Sequence, residues 1–179
     1  EFRADVTPAS KVDTAKVRMD ELLSKARRHI ESGDIPGARE VLAAPETAAS
    51  GPMTFMLAET YDPNMLASWQ TARGSTSADA HKARALYEKA LALQPGYVPA
   101  MAVLADIIHV RGFRGFDDET VNFAEAQRLR LAAAAIDDSV GELQSSIGVT
   151  RLYWQDDFLG SERYLARGAE LAPHDGQVQ

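Results

Sequence analysis

Four histidines, His29, His81, His109 and His174, are the side chains of this sequence best suited to bind a metal or carry a proton near neutral pH. They lie 52, 28 and 65 positions apart, and none has another histidine at i, i+4, so the spacing of a helical metal site is missing. They read as packing or surface residues. With no cysteine anywhere, a thiolate nucleophile, a thiolate metal site and a disulfide are all excluded. Asp117-Asp118-Glu119 and Asp156-Asp157 gather hard oxygens, yet neither has the alternating ligands and distal glutamate of a calcium loop. Each precedes an apolar-periodic run, where helix N-capping is the expected role. No Gly-x-Ser-x-Gly occurs, no serine has lysine three residues on, and no glycine loop ends in Lys-Ser or Lys-Thr. Gly112-Phe113-Arg114-Gly115-Phe116 has two glycines but follows a helical pattern and carries no lysine, which argues against a phosphate cradle. No residue is therefore assigned to catalysis, to a cofactor or to a metal.

Bulk composition narrows the partners in the same direction. The chain of 179 residues carries a net charge of -7, with 14 Arg and 5 Lys scattered among 26 acids. A surface that tracks phosphates needs clustered positive charge, so nucleic acid is a poor partner. No run reaches the ~18 apolar residues of a membrane span, and no signal-peptide core opens the chain, so no membrane contact is expected of this segment. Glu1-Phe2 reads as a cloning remnant, which leaves an upstream anchor or export signal open, and cytoplasm and periplasm fit equally well.

The elements that would position any site are helical throughout. Residues 1–12 mix Pro8, Ser10 and charges without periodicity and read as a flexible lead-in. From Asp13, Val17, Leu22, Leu23, Ala26 and Ile30 recur at helical spacing, ending at Gly33 with Asp34 as the next N-cap and a short helix over Ala38 to Ala44. Gly51-Pro52 opens a helix through Met53, Leu57 and Tyr61 that must stop at Asp62-Pro63. Asp62 then caps a short extra helix carrying Met65, Leu66 and Trp69. A loop at Gly74 to Ser77 precedes Asp79, which caps a helix over Ala80 to Leu93. Pro95-Gly96 ends it, and the next helix runs from about Pro99 to Val110, where Gly112 to Phe116 reads as a glycine-bracketed aromatic loop. Helices near 121–136, 140–154 and 159–171 complete an all-α chain.

Internal repetition organises these helices. Ala83, Tyr87, Ala90 and Pro95 are spaced by four, three and five; Ala126, Arg130, Ala133 and Asp138 repeat that spacing, as do Ser161, Leu165, Gly168 and Pro173. Small residues stand at two of these positions, with a larger one between them in each case. One hairpin cannot bury its apolar face alone, whereas stacked neighbours share a core.

These offsets resemble the second helix of a tetratricopeptide repeat. Leu57-Ala58 with Tyr61, Leu104-Ala105 with Ile108, and Ile147-Gly148 with Arg151 occupy the Leu-Gly and Tyr positions of its first helix, and Ala26, His29, Gly33, Ala38 and Leu42 fit the opening hairpin. Tyr61 and Ala83 are 22 positions apart, and Ile108 and Ala126 are 18 apart, both longer than the motif, so two units carry inter-helix insertions. Such lengthening before Lys82-Ala83-Arg84-Ala85-Leu86-Tyr87-Glu88-Lys89-Ala90 is similar to Sel-like repeats, and Leu57 to Pro63 resembles variants in alphaproteobacterial proteins. The resemblance implies a right-handed α-α superhelix of about four hairpins, with units near 14–44, 52–95, 98–138 and 140–173 of a repeat domain over 13–179.

The family further implies a concave face lined by the first helix of each pair. Counted from Ala26, Ala58, Ala105 and Gly148, its groove positions include Arg27, Phe55, Glu59, Asp106, His109, Glu142 and Leu152. Trp69, Phe113 and Phe116 in the insertions form a second candidate patch. The implied activity is non-catalytic binding of a protein or peptide partner as a scaffold or adaptor, without a cofactor. Two other readings stand beside it: self-assembly into a homo-oligomer through an open end near Tyr164, Leu165 and Leu171, and a regulatory segment of a larger protein.

Overall fold

Side-chain caps start the helices at the residues whose types favour it. Asp34, Asp62, Asp79, Asp118 and Asp157 accept backbone N–H bonds from Gly37, Asn64, Lys82, Val121 and Gly160 at 2.8–3.0 Å. The acidic pairs at 117–118 and 156–157 thus open helices. The computed structural model describes residues 9–69 and 77–171, and Pro173, His174 and most of the loop at Gly74 to Ser77 lie outside them. The described helices are α1 (Ala9–Glu31), α2 (Ile35–Leu42), α3 (Gly51–Glu59), α4 (Pro63–Ser68), α5 (Ala80–Leu93), α6 (Val98–Phe113), α7 (Glu119–Ile136), α8 (Gly141–Trp154) and α9 (Phe158–Leu171), with a 3-10 turn at Pro45–Thr47. Among the described residues there is no strand.

The chain divides into two units, Glu1–Leu93 and Gln94–Gln179. In the first, α1 pairs with α2 and α3 with α5, while α2 also meets α3. Ala26, Leu42, Met53 and Met56 form a core cluster on which Leu22, Leu23 and Ile30 pack. Val17, expected on that apolar face, is 56% exposed, and α1 begins at Ala9, ahead of the start expected at Asp13. Gly33, at φ 78, takes the left-handed conformation that ends α1, and the Asp34 N–H bonds back to the His29 carbonyl at 2.8 Å. The first insertion supplies α4, and its Leu66 turns inward.

In the second unit α6 pairs with α7, α8 with α9, and α7 also meets α8. The repeat positions are the contact positions. Ala83, Tyr87 and Ala90, then Ala126, Arg130 and Ala133, then Ser161 and Gly168 are all buried, with Leu165 half-buried. A Cβ on Gly148 would stand 2.8 Å from Leu165 Cγ, and one on Gly168 would stand 3.0 Å from the Gly141 carbonyl oxygen. Backbone approach this close is what the small residues permit.

One expectation is corrected here. Gly112 does not break the helix after Val110, because α6 continues through it to Phe113. Gly112 is buried where a Cβ would stand 2.8 Å from Asn122 Cβ, so it serves the packing of α6 on α7. The chain turns instead at Gly115, with φ 70 and the Phe116 N–H bonded to the Arg111 carbonyl at 3.0 Å. The second insertion is thus largely absorbed by longer helices, and only a short turn separates α6 from α7.

Candidate functional site

Helical spacing places Asp106, His109 and Phe113 on one face of α6, and Glu142, Ser146, Val149 and Tyr153 on one face of α8. Two observations put these faces side by side with matching ends. A small cleft near their N-terminal halves is lined by Ala102, Val103 and Asp106 of α6 and by Val140, Glu142, Leu143 and Ser146 of α8. Towards their C-terminal ends, the Trp154 ring lies 5.3 Å from His109 and 6.4 Å from Phe113.

Arg130 of α7 holds this arrangement from behind. It is 3% exposed, and its guanidinium donates to Asp106 Oδ1 at 2.7 Å and to the Thr150 hydroxyl at 3.0 Å. Its NH1 also sits 3.2 Å from His109 Nδ1. Arginine has only donors, so Nδ1 must accept and the ring proton belongs on Nε2. Burial, and then the Arg130 charge, push the His109 pKa below its ordinary value, with Asp106 opposing them. The imidazole is therefore a neutral acceptor that also packs edge-on to Phe123 at 4.7 Å. Asp106 keeps 48% of its side-chain exposure while paired to an arginine whose side chain keeps 4%. Adjoining the ion pair is a pocket of about 190 Å³ lined by His109, Arg130, Glu142, Ser146, Val149 and Thr150, among others.

Of the groove residues expected from the resemblance, Asp106, His109 and Glu142 are brought together here. Leu152 is half-buried and falls off the row that Glu142, Val149 and Tyr153 define. Arg27, Phe55 and Glu59 belong to the first unit. Glu59 is pushed up to about 7 by burial and then by Asp62, against the attraction of Arg27. Phe55 is buried, its ring 5.2 Å from that of Tyr87, so it serves the packing of α3 on α5. Trp69 is half-buried in the first unit, whereas Phe113 and Phe116 are 66% and 69% exposed in the second.

Sequence reasoning missed Arg130 as part of the site because it stands at the repeat position that Tyr87 fills in another hairpin. The available signal was its charge at a position the repeat buries. Tyr153 and Trp154 were missed because they lie beyond the groove positions of the motif.

No protein-family model matches the sequence, and no curated protein matches it. Solved structures do. The crystal structure of MamA protein aligns with a TM-score of 0.52 at 16% identity, covering 91% of this chain and 76% of that one. A second MamA crystal structure gives 0.51 at 13%, covering 96% and 97%. YrrB, described as a tetratricopeptide protein with an unusual peptide-binding site, gives 0.50 at 12%, covering 88% and 70%. The fold is that of a tetratricopeptide repeat protein. At such identities only the fold carries over, and within it α6 with α7 and α8 with α9 are two of the helical pairs. Among the described residues, no helix of this chain is long and apolar enough to cross a membrane.

Proposed function

We propose that the chain is a non-catalytic protein-interaction module that holds an extended peptide, or an extended segment of a partner protein, against the first helices of its hairpins. The observation that carries this reading is the pair of hollows along α6 and α8: Asp106 and Glu142 line a small cleft, and His109, Glu142 and buried Arg130 line the pocket beside it. A face of mixed polar and apolar side chains with an ion pair behind it suits recognition of an extended chain. The peptide-binding site described for YrrB, which shares the fold, adds support. Arg27 and Glu59 are assigned the same role on the first unit.

The test uses a photo-crosslinking amino acid at Val149, which is 38% exposed in the middle of the α8 row. Irradiation in lysate of the source organism should attach a partner segment that mass spectrometry can sequence. A variant with Arg27, Glu59, Asp106 and Glu142 changed to Ala, still fully helical by circular dichroism, should lose that product. Equal crosslinking by both proteins would overturn the assignment of this face. Self-assembly is the second reading, favoured by Phe158 and Leu159, which are 66% and 83% exposed at the start of α9. Mass that rises with concentration, and falls for a Leu159→Ser variant, would favour it.

A further inference from the structure

We infer that the two hairpin turns of the second unit, 114–118 between α6 and α7 and 155–157 between α8 and α9, form a self-complementary surface on which a second copy of this chain docks about a two-fold axis. The inference rests on the self-assembly reading above and adds the surface, its symmetry and the ion pairs that set its register.

Exposed apolar area is the first argument. Phe113, Phe116, Tyr153, Phe158 and Leu159 flank the two turns at 66, 69, 70, 66 and 83% exposure. The turns stand at one end of the unit, because Trp154 meets both Phe113, at 6.4 Å between ring centres, and Tyr153, at 6.2 Å. The Asp157 N–H bonds to the Arg151 carbonyl at 3.1 Å, which keeps Phe158 close behind Trp154. Aromatic side chains about two-thirds exposed at four of these positions leave roughly 400–700 Å² in the open. That approaches the ~800 Å² each partner buries in a stable interface, whose core is rich in aromatic residues. Beneath the patch Trp154 is half-buried, its ring 4.1 Å from that of buried Phe123, so the platform is fixed before docking and little ordering is lost.

Charge says what covers it. Asp117 pairs with Arg111 at 2.6 Å, Asp118 caps α7, and Asp157 pairs with Arg151 while capping α9. Arg114 on the first turn and Asp156 on the second are exposed, and among the described residues neither side chain has an ion pair or hydrogen bond. In a two-fold contact, residue i of one copy meets j of the other while j meets i. One uncommitted cation on one turn and one uncommitted anion on the other satisfy that rule, with Arg114 of each copy paired to Asp156 of the other. Anionic lipid fits the same patch poorly, since Asp117, Asp118 and Asp156 border it and the chain carries a net charge of -7.

Sedimentation velocity on the full chain, from roughly 1 to 100 µM, tests this across the range of ordinary protein association. Wild type should pass from monomer to dimer and no further, because a two-fold contact closes on itself. R114E and D156K should each weaken the dimer about tenfold or more, since each places two like-charge contacts in one interface. An equimolar mixture of the R114E and D156K chains should recover wild-type affinity to within about threefold, because both contacts of the mixed dimer again join opposite charges. D156N keeps a residue type that tolerates the φ of 50 found there, and should weaken the dimer less than D156K does. E31K, on exposed α1, makes the same change of net charge as D156K and should not weaken the dimer, which removes bulk charge as the explanation. Phe116→Ser and Leu159→Ser, one beside each turn, should each cost about tenfold in affinity. Circular dichroism must match wild type for every variant. A mixture that fails to recover would overturn the two-fold pairing. Dimers that withstand R114E, D156K and Leu159→Ser alike would overturn this surface and leave self-assembly standing through another. A monomer at every concentration would remove both, and its capture by phosphatidylglycerol vesicles, lost in Leu159→Ser, would assign the patch to a membrane instead.

Discussion

Tyr87 donates its hydroxyl proton to Asp62 Oδ2 at 3.0 Å, while the other oxygen of the same carboxylate caps α4 by accepting from the Asn64 N–H at 2.8 Å. One aspartate thus ties the buried aromatic of α5 to the first turn of the inserted helix. Burial, followed by the Asp62 and Glu59 charges, pushes the phenol pKa up, so it remains the donor at any ordinary pH.

Tyr87→Phe should cost about 0.5–1.5 kcal/mol, the usual net worth of one hydrogen bond. Tyr87→Ala should cost about 3–5 kcal/mol, because it also empties a site that is 1% exposed. Urea unfolding followed by circular dichroism checks both, and equal losses would mean that the hydroxyl, not the ring, dominates.

Gly168→Ala should destabilise the chain by about 1–3 kcal/mol through overpacking. The new methyl would overlap the Ser145 hydroxyl and stand 3.0 and 3.1 Å from the Gly141 oxygen and the Ser145 nitrogen. Backbone atoms cannot swing aside. Alanine gains roughly 0.5–1 kcal/mol of helix propensity over glycine, and the clash must exceed that. A rise in the thermal midpoint would show that α8 and α9 separate cheaply.

The ion pair of Arg130 with Asp106 should respond unequally to loss of either partner. Asp106→Ala leaves a buried guanidinium with reduced compensation, a loss of the order of 3–5 kcal/mol. Arg130→Met leaves a carboxylate that is already 48% exposed and can hydrate, and the Thr150 hydroxyl still donates to the Ser146 carbonyl at 2.9 Å. That variant should cost less, about 1–2 kcal/mol for the lost hydrogen bonds. Denaturant midpoints for the two proteins decide the order.

Glu59 links stability to pH. Its folded pKa of about 7 lies above the ordinary glutamate value of 4.5, so the folded chain holds this proton more tightly than the unfolded chain does. The resulting contribution is fully present below pH 4.5 and is lost as pH rises through 7. His109 acts with opposite sign: its lowered pKa makes protonation favour unfolding, so its contribution falls away below the ordinary histidine value of 6.5. The difference between wild type and Glu59→Gln isolates the glutamate. The Gln variant should gain thermal stability relative to wild type as pH goes from 5 to 8, and a difference that does not change with pH would refute a protonated Glu59.

Much of the fold was legible in the chain because its signals are local. Asp34, Asp62 and Asp79 cap helices from side chains within three residues of the N–H groups they bind. The recurrence from Ala83, Tyr87 and Ala90 to Ala126, Arg130 and Ala133 reports burial on one helix face, which periodicity alone can reveal. Gly112 was misread because a glycine inside a helix and a glycine ending one look alike until the neighbouring helix is in place, and Asn122 of α7 makes the difference.

The sequence by itself determined the helical class, the hairpin repeat, the caps and the absence of a thiolate, since each depends on residue type and short spacing. Only the tertiary structure decided that Asp106 and His109 meet Arg130, that Glu142 lines the same pocket as Arg130, that Phe55 is packing, and that Tyr153 and Phe113 both contact Trp154. Those relationships join residues on different helices 12 to 41 positions apart in the chain, and no local propensity encodes which faces of α6, α7 and α8 meet. That choice follows from burying the apolar stripes of all three helices at once, which is a property of the packed unit.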